Sequence, residues 1–338
     1  MKQIKLYALL IFASLFAVAC GDDDEGPSFS HDVVVINEGN FSAADGSISG
    51  YNYETEKVEN GLFEAANDFE FGAIIQSVTK YNGKYYVVGN STDELVVVNG
   101  EDYLLEGTIT TDLAIPYKFV AVGNKGYISN WGTQTPDYKY VDAFLTVVDL
   151  SSNTVTKKID MPSKTQGLLI FEEKLYVTHS ASNTISVLDI DTDKVVETIE
   201  TEERPDAMVL DKNNKIWVLC SSGALVQIDP STNKVIKTIK EITAFGYNEK
   251  LVINEAGDRL YFIGGNEIFT LGIDDTVAPE KGLVEVTTAY GVGINGDKLF
   301  VGDANAYSGP GTVYIYDLEG NEQSSFTTGF LPNGFIFN

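Results

Sequence analysis

Seven times along this chain a segment of the form [Lys/Arg]-x-Tyr-Val, or a close variant of it, is followed by a segment close to Val-x-Val-Asp. The first segments cover 33–36, 84–88, 125–129, 174–178, 215–219, 259–263 and 298–302, and the second cover 46–51, 94–98, 144–149, 184–189, 224–229, 267–271 and 312–317. From Lys84 onward the anchors lie 39 to 49 residues apart, the length of one four-stranded unit repeated around a ring. The period therefore predicts an all-β chain, a seven-bladed β-propeller. By length, 338 residues would suggest two domains. A ring of blades, each packing only on its neighbours, accommodates them in one domain spanning 32–338.

Turn chemistry agrees with this reading. Asn82-Gly83, Asn295-Gly296 and Gly257-Asp258 suit the positive φ of tight hairpins between the first two strands of a blade. Asp149, Asp189, Asp229 and Asp317 recur at one repeat position, just before a second set of hairpins, and read as turn-initiating residues. Both sets belong on one face of the disc. The opposite face carries the loops between strands two and three and the connections between blades, and there the lengths are unequal. The first unit lacks an inner strand of its own, while the chain ends in Leu331-Pro332-Asn333-Gly334-Phe335-Ile336-Phe337. This tail is expected to supply the missing strand and close the ring, removing two exposed edges.

The N-terminus has Lys2 and Lys5, an apolar run over 6–18, and Ala19-Cys20-Gly21, the pattern of a lipoprotein signal peptide (1–19) with lipidation at Cys20. The acidic segment Asp22-Asp23-Asp24-Glu25 then reads as a tether over 20–31, either a simple linker or an export signal. These features predict a lipid-anchored, surface-exposed outer-membrane protein. Loss of Lys2 and Lys5 would take the formal charge from −26 to −28, a field that disfavours nucleic acid. Cys220, in an apolar strand, is expected to be buried and inert.

Catalytic chemistry finds little support. Neither of the two histidines, His31 and His179, has a partner at metal spacing, so no catalytic residue, metal or cofactor is expected and the chain is not read as an enzyme. Residues that depart from the repeat on the loop-rich face are instead aromatic and amide-bearing: Asn37 and Phe41 in the first unit, Asn130, Trp131 and Tyr138 in the third, Asn305 and Tyr307 in the seventh. Phe71, Tyr117, Arg204, Tyr247 and Tyr290 lie between blades, and His179 ends a strand on the same face. Such a set suits a large, partly apolar ligand held by stacking and amide contacts. The inter-blade aromatics have an alternative role in packing the ring.

The repeats, such as Lys174-Leu175-Tyr176-Val177 with Ile185-Ser186-Val187-Leu188-Asp189, resemble YncE-type seven-bladed propellers. The opening Val35-Ile36-Asn37-Glu38-Gly39-Asn40-Phe41, the acidic tether and Leu331-Pro332-Asn333-Gly334-Phe335 are similar to Bacteroidota surface lipoproteins of the DUF5074 kind, which include the BtuG-type corrinoid-binding proteins. This resemblance implies a monomer that captures a small-molecule nutrient, a corrinoid such as vitamin B12, for a TonB-dependent outer-membrane transporter. A protein-interaction scaffold and, less favoured, a propeller lyase stay open as alternatives.

Overall fold

The computed structural model describes residues 31–243 and 250–338; the expected signal peptide (1–19), Cys20, the expected tether up to residue 30 and Tyr247 lie outside the described residues. Residues His31–Asn338 form one compact unit of seven four-stranded antiparallel sheets. Blade 2 shows the plan, with strands Ile75–Tyr81, Lys84–Gly89, Glu94–Asn99 and Leu105–Ile109 running in order from the inside out. The inner strands of blades 3 to 7 are Pro116–Val122, Thr165–Phe171, Pro205–Leu210, Leu251–Ile253 and Ala289–Asn295. Blade 1 takes its inner strand from the C-terminus. Pro332–Phe337 pairs antiparallel with Val33–Asn37, Val34 facing Ile336, so the ring is shut by backbone hydrogen bonds between the two ends of the chain.

Burial explains the two kinds of strand. The second and third strands of each blade are covered by neighbouring blades on both faces, so they are apolar without alternation, as in Leu95, Val96, Val97 and Val98. Tyr176, Ile185 and Val187 of blade 4 pack against Val218, Val226 and Ile228 of blade 5, and each such side chain contributes about 1.5–3 kcal/mol by leaving water. Outermost strands carry exposed Lys, Thr and Glu, as in Lys194–Glu200, which discourages edge pairing with other chains.

The recurrent Lys-x-Tyr also finds its cause here. Tyr127 donates its hydroxyl hydrogen bond to Asp193 Oδ1 (2.7 Å) and Lys125 Nζ donates to Ile190 O (2.7 Å), both in the outer hairpin of blade 4. Tyr176 and Lys174 repeat this towards Asn233 and Pro230 of blade 5. The motif lashes one blade to the next. Asp149, Asp189 and Asp229 accept backbone N–H bonds from Ser151, Thr192 and Ser231, the turn-forming role their repeat position suggests.

Candidate functional site

A β-bulge recurs near the loop-side end of the inner strands. Pairing slips between Ile75 and Ser77, Pro116 and Lys118, Thr165 and Leu168, Pro205 and Met208, and Ala289 and Gly291, and again where Pro332 and Gly334 face Asn37 and Ile36. The first residues in these slips are Gln76, Tyr117, Gln166, Asp206, Tyr290 and Asn333, and in blades 4 and 5 the slip also takes in Gly167 and Ala207. A bulge leaves one residue outside the ladder and re-aims its side chain. Here the result is a collar of hydrogen-bonding groups around the central channel. The position after these first residues holds Ser77, Gly167, Ala207, Gly291 and Gly334 in five blades, but Lys118 in blade 3. In blade 6 the matching position, whose carbonyl accepts from Ile263 N, is Lys250.

The channel encloses a cavity of about 230 Å³ lined by Gln76, Tyr117, Lys118, Asp206, Lys250 and Asn333 above an apolar floor that includes Val78, Met208 and Phe335. Gln166 Nε2 donates to Asp206 Oδ2 at 2.7 Å, and Ser180 holds the other end of that amide, donating to Gln166 Oε1 at 2.9 Å. Asn333 Nδ2 reaches Glu38 Oε2 at 3.0 Å and Ile75 O at 3.2 Å, joining blades 1 and 2 at the rim. Burial pushes the Glu38 carboxyl above its ordinary range, against the opposing effects of Asn333, Lys250 and Tyr290. Lys118 moves the other way, down to about 8, chiefly because the channel strips water from its ammonium and next because Lys250 is close, with Asp206 opposing.

Several residues singled out by sequence turn out to build the scaffold. Asn37, Asn130 and His179 are fully buried at equivalent strand ends, each tying a third strand to an incoming connection. Asn37 donates to Ser49 Oγ and accepts from Thr328 Oγ1, while Asn130 donates to Thr146 Oγ1 and accepts from Ala114 N. His179 meets Ser186 Oγ at 2.8 Å and Ser163 O at 3.2 Å, and burial holds its pKa down at about 4. It is a neutral buried strut, where a rim position was expected. Asn305 donates to Pro310 O and Thr312 Oγ1 within its own loop. Phe71 stacks on Phe63 (3.8 Å between centroids) beside the short helix Leu62–Asn67, lining a separate cavity.

Among the aromatic residues of blade 3, Tyr117 lines the channel cavity. Trp131 stacks on Tyr117 (4.9 Å, 22°) and meets Tyr140 edge-on, and Lys164 Nζ lies 3.4 Å from the Trp131 ring centroid. The indole is thus already covered by these contacts, and its buried Nε1 has no acceptor among the described residues. Tyr290 is buried, contacts Tyr307 edge-on and hydrogen-bonds the Glu38 carboxyl. Phe41, Tyr138 and Tyr307 are instead exposed tips (86%, 81% and 54%), and Arg204 stands exposed at a positive φ of 60° on the connection into blade 5.

Sequence reasoning missed Lys118, Lys250, Gln76, Gln166 and Asp206, because it looked for departures from the repeat in long loops. Aligning the inner strands on their bulges would have found both lysines. They stand where most blades have a small residue.

Known folds agree with the ring. A quinonprotein alcohol dehydrogenase-like protein from Bacteroides thetaiotaomicron superposes with a TM-score of 0.70 at 15% identity, covering 90% of this chain and 77% of that one. A functionally unknown protein from Desulfotomaculum acetoxidans also gives 0.70 at 13% identity, covering 91% of this chain and 99% of its own. No curated protein matches the sequence. The family model described as a domain of unknown function, DUF5074, matches residues 32–328, and the chain, with its bulge-lined propeller channel, belongs to that family.

Proposed function

We propose that this protein is a ligand-binding lipoprotein of the cell surface that captures a nutrient rich in amide groups, a corrinoid being the leading candidate, for a TonB-dependent outer-membrane transporter. The collar of bulge residues carries this reading. Gln76 and Asn333 bring amides, Tyr117 a phenol and Lys118 and Lys250 ammonium groups to one opening, with Trp131 stacked on Tyr117. A ligand with an apolar body and an amide-bearing edge matches that mixture. A molecule as broad as a corrinoid would rest on the loop face and lower one edge into the 230 Å³ cavity. The anchor at Cys20 and the family resemblance of the tether support the surface location.

The three exposed aromatic tips favour a second reading, a protein-docking scaffold, because they lie on the same face as the channel mouth. A lyase is less well supported, since His179, the histidine offered as its acid or base, is sealed at 0% exposure.

Titration of cyanocobalamin and cobinamide into residues 31–338, followed by calorimetry and absorbance, tests the proposal. Stoichiometric binding that weakens by at least about tenfold in Asn333→Ala or Gln76→Ala supports it. An absence of heat and spectral change at micromolar protein would leave the scaffold as the better account.

A further inference from the structure

Several lysines of the ring are held by the next blade. Lys125, Lys174 and Lys237 each donate to backbone carbonyls of an adjacent blade. Lys118 differs. It projects from the post-bulge position of blade 3 into the central cavity, and no hydrogen bond or ion pair holds its ammonium among the described residues. Its charged neighbours are Lys250, which disfavours the ammonium, and Asp206, which favours it. Asp206 already receives Gln166 Nε2 at 2.7 Å. On the side of Lys250, the Glu38 carboxyl accepts Asn333 and Tyr290, and burial weakens its ionisation. Two cations thus enter the channel at equivalent positions of blades 3 and 6, and the nearby carboxylates are engaged by amides of the ring itself.

An ammonium held in a narrow channel without an acceptor loses hydration and gains little in return. That cost is offset when an acceptor arrives, and most fully when the acceptor is charged. We infer that Lys118 is the receiving point for an oxyanion, a carboxylate or phosphate group carried by the ligand, with Lys250 as the second positive charge of the same site. The chain is acidic, formally −26 overall, so an anion gains little from its long-range field and depends on the two lysine charges that line this opening. The inference builds on the ligand-binding reading of the channel mouth but not on the corrinoid, so each can fail without the other.

The test uses residues 31–338 carrying 13C-labelled lysine, titrated with inorganic phosphate and separately with acetate at constant ionic strength. The Lys118 ε-carbon resonance is expected to shift saturably with at least one anion, and the arm that responds identifies the oxyanion. On binding, its titration midpoint should move upward. Lys118→Met should weaken that anion at least about tenfold, whereas Lys118→Arg should retain it within a few fold. The exposed Lys281→Met should leave binding unchanged. A second readout separates function from structure: ligand-free Lys118→Met should melt higher than the parent, since it removes a poorly solvated cation. Absence of a saturable shift with both anions, unchanged affinity in Lys118→Met, or a lower melting temperature of that variant would each overturn the inference.

Discussion

Residue identity at one repeated place, the loop-side end of the second strand, shows how unlike side chains do the same work. Asn37, Asn130, His179 and Asp303 all secure the connection entering their blade, Asp303 by accepting from Thr287 N and Thr288 N at 2.9 Å. Burial holds the folded pKa of His179 at about 4, below the ordinary imidazole value of 6.5, so on acidification the unfolded chain takes up the proton first. The stabilisation from neutral His179 is complete above pH 6.5 and is lost as pH falls towards 4, a contribution on the order of 3 kcal/mol. Urea unfolding at about pH 7 and about pH 4.5 should show this slope, and His179→Asn, which borrows the solution used at Asn130, should flatten it. In sequence, Asn37 and Asn130 depart from the repeat on the loop-rich face and His179 ends a strand there, which suggests ligand contacts. Three-dimensional equivalence reveals them as variants of one strut.

Elements are joined by two devices, and each is open to a direct check. The hydroxyl of Tyr127, given to the Asp193 carboxylate at 2.7 Å, couples blades 3 and 4. Tyr127→Phe should cost about 1.5–3 kcal/mol, the range for a hydrogen bond to a charged group, measured by chemical denaturation. The closing strand matters more. Without Pro332–Phe337, Val33–Asn37 loses its inner partner, and Val34, Val35 and Ile36 face an unfilled edge. A chain ending at Leu331 should therefore lose its cooperative thermal transition by circular dichroism and aggregate in sedimentation, as expected for an exposed apolar strand. This closure was readable in advance from two facts: an opening unit one strand short and an apolar tail after the last unit. The helix Leu62–Asn67 was not, since six residues leave too little periodicity to recognise.

At the scale of the whole molecule, the chain carries a formal charge of −26, and most of its acidic side chains belong to the closed ring. Self-repulsion should destabilise it at low salt. Raising ionic strength from about 0.01 to about 0.1 M shortens the screening length from roughly 30 to roughly 10 Å and should raise the melting temperature in scanning calorimetry. The all-β class, the seven units, the hairpin faces and the manner of closure were determined by sequence alone, because each depends on periodic apolar runs and turn residues that act locally and recur. The site was decided by tertiary structure. Gln76, Tyr117, Lys118, Asp206, Lys250 and Asn333 are separated by up to most of the chain and share no motif. They meet because the ring points the inner strands at one axis, and because bulges near one end of those strands re-aim Gln76, Tyr117, Asp206 and Asn333, with Lys118 following the bulge of its strand and Lys250 at the matching position of blade 6.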